Sequence, residues 1–345
     1  MTRRTVRLPS DRPRFFEIGS FGRGGPQHVR FSVAQIEHIA HTVRRTPEVM
    51  VKVTGGGART GAVLAHLKYI SRQGALEIET DEGARIACRD EQKALLNDWH
   101  LELIAGQYRQ AKEGRPAPRP VKLVHNIVLS MPAPTPPDKV LAAARNFARD
   151  KFAHQYHRYA LVLHTDQKHP HVHLVVKAEN ELGRRLHIDK QLLRAWREDF
   201  ARMMREQGIA ANATPRAIRG RRKRTNQDAL FRAGRYRHST VLRERVTAVA
   251  GELSRTGTVR DPVRSKLLET RKAVVSNWLK TADILDAQGE VVLAGDVRTF
   301  ASRLPPVLTD NERLAAQLIR HAEVRRPAKN DGHRRDGPAE PELAR

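Results

Sequence analysis

Four histidines lie close together in the stretch HTDQKHPHVH, residues 164–173, which joins two short apolar runs, and one of them, His169, is expected on the connecting loop. His171 and His173 are two residues apart, so on a strand both side chains point to the same face. His164 ends the preceding run, and its side chain lies beside the other two if the runs pair as strands. Three imidazoles on one sheet face leave open positions around a bound metal for water or substrate. The spacing therefore predicts a metal site formed by His164, His171 and His173.

The alternative to a metal site is a chance HxH pair on an ordinary strand. The third histidine at the end of the preceding strand and a strongly basic chain favour the metal. Asp166 follows His164 by two residues and is predicted to fix a ligand histidine in one tautomer. The alternative is that Asp166 is an ordinary aspartate of a turn, without a role at the metal site.

The chain is strongly basic, with 63 Lys and Arg against 38 Asp and Glu and a net charge of +25. This excess of basic residues predicts a polyanionic partner, DNA or RNA. The alternative is a generally basic protein, which would have the same composition. The single cysteine, Cys88, excludes an intrachain disulfide and a cysteine-rich zinc site, and it fits a reducing compartment. We expect neither a signal peptide nor a transmembrane helix, because no apolar run is long enough.

A metal site in a basic chain indicates phosphodiester chemistry, which requires a nucleophile. In residues 61–73 the helical periodicity places Tyr69 roughly 150° from the centre of the apolar stripe. A tyrosine off the core face, with small neighbours, is open to a large substrate. Its phenol has a pKa near 10, so deprotonation at pH 7 costs about 4 kcal/mol unless His164 or Asp166 acts as base. A half-exposed tyrosine without a catalytic role is the alternative.

Three motifs together resemble the MOB-P class of conjugative relaxases, the Vir-type mobilisation nucleases of the HUH endonuclease superfamily. They are VTGGGARTGAVLAHLKYISRQG at 53–74, HNIVLSMP at 125–132 and HTDQKHPHVHLVV at 164–176, followed by a similar segment at 196–220. The resemblance places Tyr69 at the nucleophile position and Ser130 where DNA is held near the nick. It places His164, His171 and His173 at the metal positions.

The resemblance implies a relaxase that nicks one DNA strand at an origin of transfer through a 5′-phosphotyrosyl link and later rejoins it. It implies a divalent metal, Mg²⁺ or Mn²⁺. The implied partners are single-stranded or supercoiled DNA at the origin, accessory relaxosome proteins and a type IV secretion coupling protein, without membrane insertion. The expected location is the bacterial cytoplasm, with passage to a recipient cell. A rolling-circle replication initiator, or a non-catalytic DNA-binding protein with a structural histidine–metal site, is the alternative.

The pattern of strands and helices predicts an α+β fold. We expect a ferredoxin-like antiparallel sheet with helices on one face, followed by a mostly helical C-terminal region. The predicted strands are 48–55, 75–80, 121–132, 159–166 and 171–180. The predicted helices are 31–45, 61–73, 91–110, 136–152 and 189–208, and residues 287–295 are expected to form a hairpin.

Composition divides the chain into four predicted segments. They are a basic, partly flexible N-terminal arm (1–45), the relaxase domain (46–225), a helical accessory domain (226–325) and a disordered tail (326–345). The arm is longer than the family usually carries. Basic residues near the predicted site and after the last motif are expected to contact DNA: Arg72, Arg216, Arg219, Arg221, Arg222, Lys223 and Arg224.

Overall fold

A computed structural model describes residues 30–109, 121–221 and 240–325. The chain divides into two compact units, Met1–Arg219 with Trp278–Ser302, and Gly220–Asn277 with Arg303–Arg345. The four domain boundaries drawn from composition stay predictions. Among the described residues, no helix combines the length and apolarity that crossing a bilayer requires.

The first unit is built on a six-stranded sheet in the order β1-β4-β6-β5-β2-β3, in which neighbouring strands pair antiparallel. This confirms the predicted α+β class and the pairing of the last two long strands. Strand β3 is not among the predicted strands, because EGAR at residues 82–85 indicates only a turn. The strands are β1 Met50–Gly55, β2 Ile78–Thr80, β3 Arg85–Ile86, β4 Val124–Ser130, β5 Tyr159–His164 and β6 His171–Lys177.

The helices that surround this sheet begin where the sequence supplies caps. Ser32 and Gln35 form a capping box at the start of α1, and the Asp189 side chain accepts a hydrogen bond from the Leu192 amide at the start of α6. The helices of this part of the chain are α1 Val33–Val43, α2 Thr60–Ile70, α3 Arg89–Asp98, α4 Leu101–Arg109, α5 Pro137–Lys151 and α6 Lys190–Glu206.

One face of the sheet packs against α5 and α6. Phe147 of α5 and the α6 residues Trp196 and Phe200 meet edge-to-face, with ring centroids 5.9 and 6.0 Å apart. They cover alternate β6 residues, among them Val172 and Leu174. The sequence predicts helices on one face of the sheet, and α5 and α6 form that layer.

The opposite face is partly covered by α2, α3 and α4. Val63, Leu67 and Ile70 of α2 are fully buried and share a core with Val175 of β6. This second layer exists because β6 is apolar on both faces over its second half. Since His171 and His173 alternate with Val172 and Leu174, they point to the α2 side of the sheet.

Two predictions of local structure are wrong. The single helix expected at 91–110 is broken, because His100 has a left-handed φ of 52° and a new helix begins at Leu101. The hairpin expected at 287–295 is instead the turn between α8 Arg264–Ala287 and α9 Val291–Ser302, with Gly289 at a φ of 88°. The β-branched pair that indicated a strand is exposed, while Leu293 and Val297 are buried at helical spacing.

The regular secondary structure described in the second unit is all helical, as the sequence predicts. It contains α7 Thr240–Thr256, the first part of α8, and α10 Asp310–Arg325. Helices α7 and α10 are joined by hydrogen bonds of 2.8 and 2.6 Å from the Arg245 guanidinium to the Asn311 side chain.

Candidate active site

Strand register gathers the three histidines on one face of the sheet. Ser130 of β4, His171 of β6 and His164 of β5 form one row of paired positions, and His173 lies in the next row between Val128 and Val162. Paired residues of neighbouring strands share a face. As a result, one ligand atom from each histidine lies within 4.8 Å of those of the other two. The convergence expected from the sequence is present.

Two backbone carbonyls orient these rings. Nε2 of His164 donates to the Ile70 carbonyl at 2.6 Å, and Nδ1 of His171 donates to the His169 carbonyl at 3.0 Å. These hydrogen bonds leave Nδ1 of His164 and Nε2 of His171 as the unprotonated nitrogens, and Nδ1 of His164 accepts a hydrogen bond from Nη2 of Arg72 at 3.2 Å. Such outer contacts fix the tautomer and the direction of a metal-binding imidazole.

Two of the three imidazoles are held in the neutral form. Burial, followed by the charges of His164, His171, His66 and Arg72, lowers the pKa of His173 to about 3. Burial also lowers the pKa of His164, against the opposing effect of its hydrogen bond to Ile70. A metal ligand must be the neutral imidazole. Three converging nitrogen donors therefore fit a divalent metal ion.

Tyr69 lies in the last turn of α2 beside this cluster, and 58% of it is exposed. Its ring stacks against His66, with centroids 6.3 Å apart and planes 27° apart. The same His66 ring also meets the His173 ring edge to face, with centroids 6.4 Å apart. One imidazole thus contacts both the phenol ring and the histidine cluster. The structure brings Tyr69 to the predicted metal site, and it leaves that side chain open to solvent.

Arg72 connects the tyrosine with the histidines. Its guanidinium carbon lies 5.4 Å from the centre of the Tyr69 ring, and its Nη2 lies 3.2 Å from Nδ1 of His164. The same Nη2 donates to the Asp166 carboxylate. Slight desolvation raises the pKa of Asp166, but the hydrogen bond and charge of Arg72 outweigh it and lower that pKa below its ordinary value.

A left-handed turn directs Arg72 back across the site. Arg72, Gln73 and Gly74 have φ values of 52°, 64° and 95°. A non-glycine residue in this region costs on the order of 1 kcal/mol or more, and such residues cluster at functional sites. The buried Ser71 hydroxyl holds the turn by accepting hydrogen bonds from the Gly74 amide and from the Gln92 side chain, at 3.3 and 3.2 Å.

The glycine run before α2 is required by packing. A Cβ on Gly56 would lie 2.2 Å from the Val124 carbonyl oxygen, and one on Gly57 would lie 2.5 Å from a methyl of Val63. Both glycines thus let the turn approach β4 and α2 closely. Gly55 has nothing within 4 Å of a Cβ at its position.

The other predicted DNA-binding residues do not form one cluster. Ser130 is 5% exposed and lies beside His171 in its row. Arg219 forms an ion pair of 3.2 Å with Glu48, whereas Arg216 and Arg221 are exposed. Arg222, Lys223 and Arg224 lie outside the described residues.

Sequence reasoning missed His66 and the bridging position of Arg72. His66 precedes Tyr69 by three residues on α2, a spacing that puts two side chains on one helix face. That spacing was the available signal for His66. For Arg72 the decisive feature is its left-handed backbone, which the sequence does not indicate at a non-glycine residue.

Comparison with known proteins finds a family model that covers most of this site. The model described as "Relaxase: MobA/VirD2-like, nuclease domain" matches residues 80–209, which contain Ser130, Asp166 and the three histidines. Over these residues the chain is similar to MobA/VirD2-like relaxase nuclease domains. Tyr69 and Arg72 precede the matched segment, so their place in the site rests on the structure and on the motif at 53–74.

The curated relatives of this chain include T-DNA border endonucleases named VirD2. The protein from Rhizobium radiobacter is 30% identical over 188 residues, which are 50% of this chain and 43% of the relative. Those from Rhizobium rhizogenes and Agrobacterium fabrum are each 30% identical over 200 residues, 54% of this chain and 44% and 43% of the relatives. The chain thus spans less than half the length of the curated relatives it matches.

A solved structure with a related arrangement is the MobM relaxase domain, bound to plasmid pMV158 oriT DNA and to Mn. It aligns with 54% of this chain and 98% of its own, at 12% sequence identity and a TM-score of 0.35. A similarity at this level adds no support to the assignment.

Proposed function

We propose that this chain is a DNA relaxase that nicks one strand at an origin of transfer and rejoins it after transfer. The observation that carries the proposal is the placement of Tyr69, an exposed phenol whose neighbour His66 also contacts one of three converging imidazoles. The relation of residues 80–209 to MobA/VirD2-like nuclease domains supports the same activity.

In the proposed reaction, the Tyr69 oxygen attacks a backbone phosphorus atom. The bond from phosphorus to the 3′ oxygen breaks, so the products are a 3′-hydroxyl and a 5′-phosphotyrosyl link, and the phenol proton ends on the released oxygen. The phosphotyrosyl diester conserves the energy of the broken bond, so the reverse reaction rejoins the strand without ATP.

Of the two predicted proton acceptors, Asp166 is the better placed. Nε2 of His164 carries the proton that it donates to the Ile70 carbonyl, and Nδ1 is the nitrogen that a metal ion would take over from Arg72, so neither nitrogen serves as the base. Asp166 is exposed and is held by the guanidinium that also contacts the Tyr69 ring. We therefore assign proton acceptance to Asp166 and metal binding to His164.

The proposed metal ligands are Nδ1 of His164, Nε2 of His171 and one ring nitrogen of His173. When bound, a divalent ion polarises a phosphoryl oxygen and neutralises charge on the phosphate. Of the two predicted ions, we favour Mn²⁺, because Mg²⁺ prefers oxygen ligands whereas imidazole suits transition metals. The activity is proposed to depend on this ion.

The proposed substrate is single-stranded or supercoiled DNA at an origin of transfer. Ser130 lies beside His171 on the site face, so we assign it a contact with the strand near the nick. The exposed Arg216 and Arg221 are proposed to contact phosphates farther away. The family relation further supports accessory relaxosome proteins and a type IV secretion coupling protein as partners, and the bacterial cytoplasm as the location, with passage to a recipient cell.

The test uses a labelled pool of random-sequence single-stranded oligonucleotides with Mn²⁺ and a denaturing gel. We expect a covalent protein–DNA band with the wild type and with Tyr156→Phe, a matched control on an equally exposed tyrosine, 60% against 58%. We expect no band with Tyr69→Phe. Tight binding without any covalent band would instead support a non-catalytic DNA-binding protein. Sequencing the attached DNA identifies the nick site.

A further inference from the structure

Arg72 differs from Arg158 and Arg145, two other arginines of the sheet unit, in what surrounds it. Arg158 contacts three carboxylates, those of Asp81, Glu82 and Asp98, and Arg145 forms a bidentate pair with Glu79. Neighbouring carboxylates thus neutralise the charges of those two arginines. The contacts of Arg72 are one exposed carboxylate, an imidazole nitrogen and the face of a phenol.

The contacts made by Arg72 leave part of its donor capacity unused. A guanidinium carries five N–H donors in a fixed fork. Nη2 of Arg72 donates to Asp166 and His164, and one further side-chain hydrogen bond joins the guanidinium to Tyr69. Its side chain is 31% exposed, so a phosphate entering beside Tyr69 can reach the remaining N–H groups. Planar, bidentate recognition of phosphate is the chemistry for which arginine is suited.

The backbone shows that this position is fixed. Arg72 and Gln73 both adopt left-handed φ values, and Ser71 and Gln92 hold the turn from the buried side. An arginine that served only to solvate the surface would not require two strained residues held by a buried hydrogen-bond network.

We propose that Arg72 is a catalytic residue, whose guanidinium holds the Tyr69 phenol at the histidine cluster and donates to the phosphate that Tyr69 attacks. The proposal rests on the nicking function proposed above. During attack, negative charge grows on the non-bridging phosphate oxygens. A donor already in place stabilises this charge more than it stabilises the bound substrate, so it raises the rate of the chemical step.

The experiment measures three quantities on the full chain with an oligonucleotide recovered from the wild-type covalent product. They are the single-turnover rate of adduct formation, the DNA affinity by fluorescence anisotropy, and the rise in melting temperature caused by Mn²⁺. The variants are Arg72→Ala, Arg72→Lys and Arg72→Gly. The last removes the guanidinium and also relieves the left-handed strain, so it tests the role without risk to folding. Arg85→Ala, at an exposed arginine paired with Glu77 at 3.3 Å, is the matched control.

We expect Arg72→Ala and Arg72→Gly to slow adduct formation by about 100-fold or more, the typical effect of removing one transition-state donor. DNA affinity is expected to change by less than about threefold, which is under 1 kcal/mol, and the Mn²⁺ effect is expected to persist. Free guanidinium should restore part of the rate of Arg72→Gly, whereas sodium chloride at the same ionic strength should not. The rate of adduct formation by Arg72→Lys should lie between the rates of these variants and that of the wild type, because lysine keeps the charge without the planar fork.

Three results would overturn the proposal. The first is a wild-type rate in Arg72→Gly. The second is a loss of DNA affinity as large as the loss of rate, which would make Arg72 a binding residue only. The third is loss of the Mn²⁺ effect, which would make it a support of the histidine cluster. Failure of the wild type itself to form an adduct would instead refute the nicking function and this proposal with it.

Discussion

The histidine cluster makes a quantitative prediction for metal-dependent stability. An ion that binds the folded chain at 100 times its Kd stabilises it by about 2.7 kcal/mol. For a unit of this size, about 1 kcal/mol corresponds to about 2–4 °C, so saturation with Mn²⁺ is expected to raise Tm by about 5–10 °C. The ion binds only the folded state in this argument, because the three ligand atoms converge within 4.8 Å through the pairing of separate strands.

Replacement of His173 by alanine is expected to remove most of this effect. Loss of an outer contact to a ligand already lowers metal affinity by about 10–100-fold, and loss of a ligand is expected to reach at least the upper value. At the same Mn²⁺ concentration the ion then stabilises by about 0.4 kcal/mol, which is about 1 °C in Tm. The quantity compared is the Mn²⁺-induced rise within each variant, so any direct effect of the substitution on folding cancels.

The assay is a thermal melt with EDTA and with Mn²⁺, followed by fluorescence. The matched control is His154→Ala, which removes an imidazole that is 69% exposed and lies outside the cluster, and which should keep the full rise. An equal rise in the wild type and in His173→Ala would refute the reasoning. So would loss of the rise in the control.

Three further predictions follow from the same structure. Gly56→Ala places a Cβ 2.2 Å from the Val124 carbonyl oxygen and is expected to cost about 1–3 kcal/mol, read from the urea midpoint, whereas Gly55→Ala meets nothing within 4 Å and should be neutral. Burial, mainly, lowers the pKa of His38 to about 4, so its contribution to stability is present above pH 6.5 and is lost as pH falls toward 4. That loss is about 3 kcal/mol at most. Urea titrations at about pH 7.5 and about pH 4.5 give the change in unfolding free energy between the two pH values, and this change should be smaller in His38→Gln than in the wild type. Asp166→Asn keeps the shape of the proton acceptor without its charge and should slow adduct formation by about 100-fold or more, measured in single turnover.

Much of the sheet could be predicted because its signals are local. Alternating β-branched residues indicate β1, β4, β5 and β6, and the two-residue spacing of His171 and His173 places both on one face. The short connection after His164 makes β5 and β6 neighbours. The three-histidine cluster follows from these facts without further information.

The parts that could not be predicted depend on tertiary contacts. No local pattern shows that β4 pairs with β6, and this pairing is what brings Ser130 beside His171. The exposed valines at 291 and 292 have the composition of a strand, yet the next residues continue a helix because they bury Leu293 and Val297. Arg72 reaches Tyr69 and His164 through a left-handed turn that is stabilised by the distant Gln92.

The attachment site of the DNA is the most direct test of the account. The covalent product formed with Mn²⁺ can be digested with protease and nuclease, and the peptide that carries the residual nucleotide can be sequenced by mass spectrometry. We predict a nucleotide on the phenol of Tyr69, linked through a 5′ phosphate. A nucleotide on Tyr156, or on any residue other than Tyr69, would contradict the account.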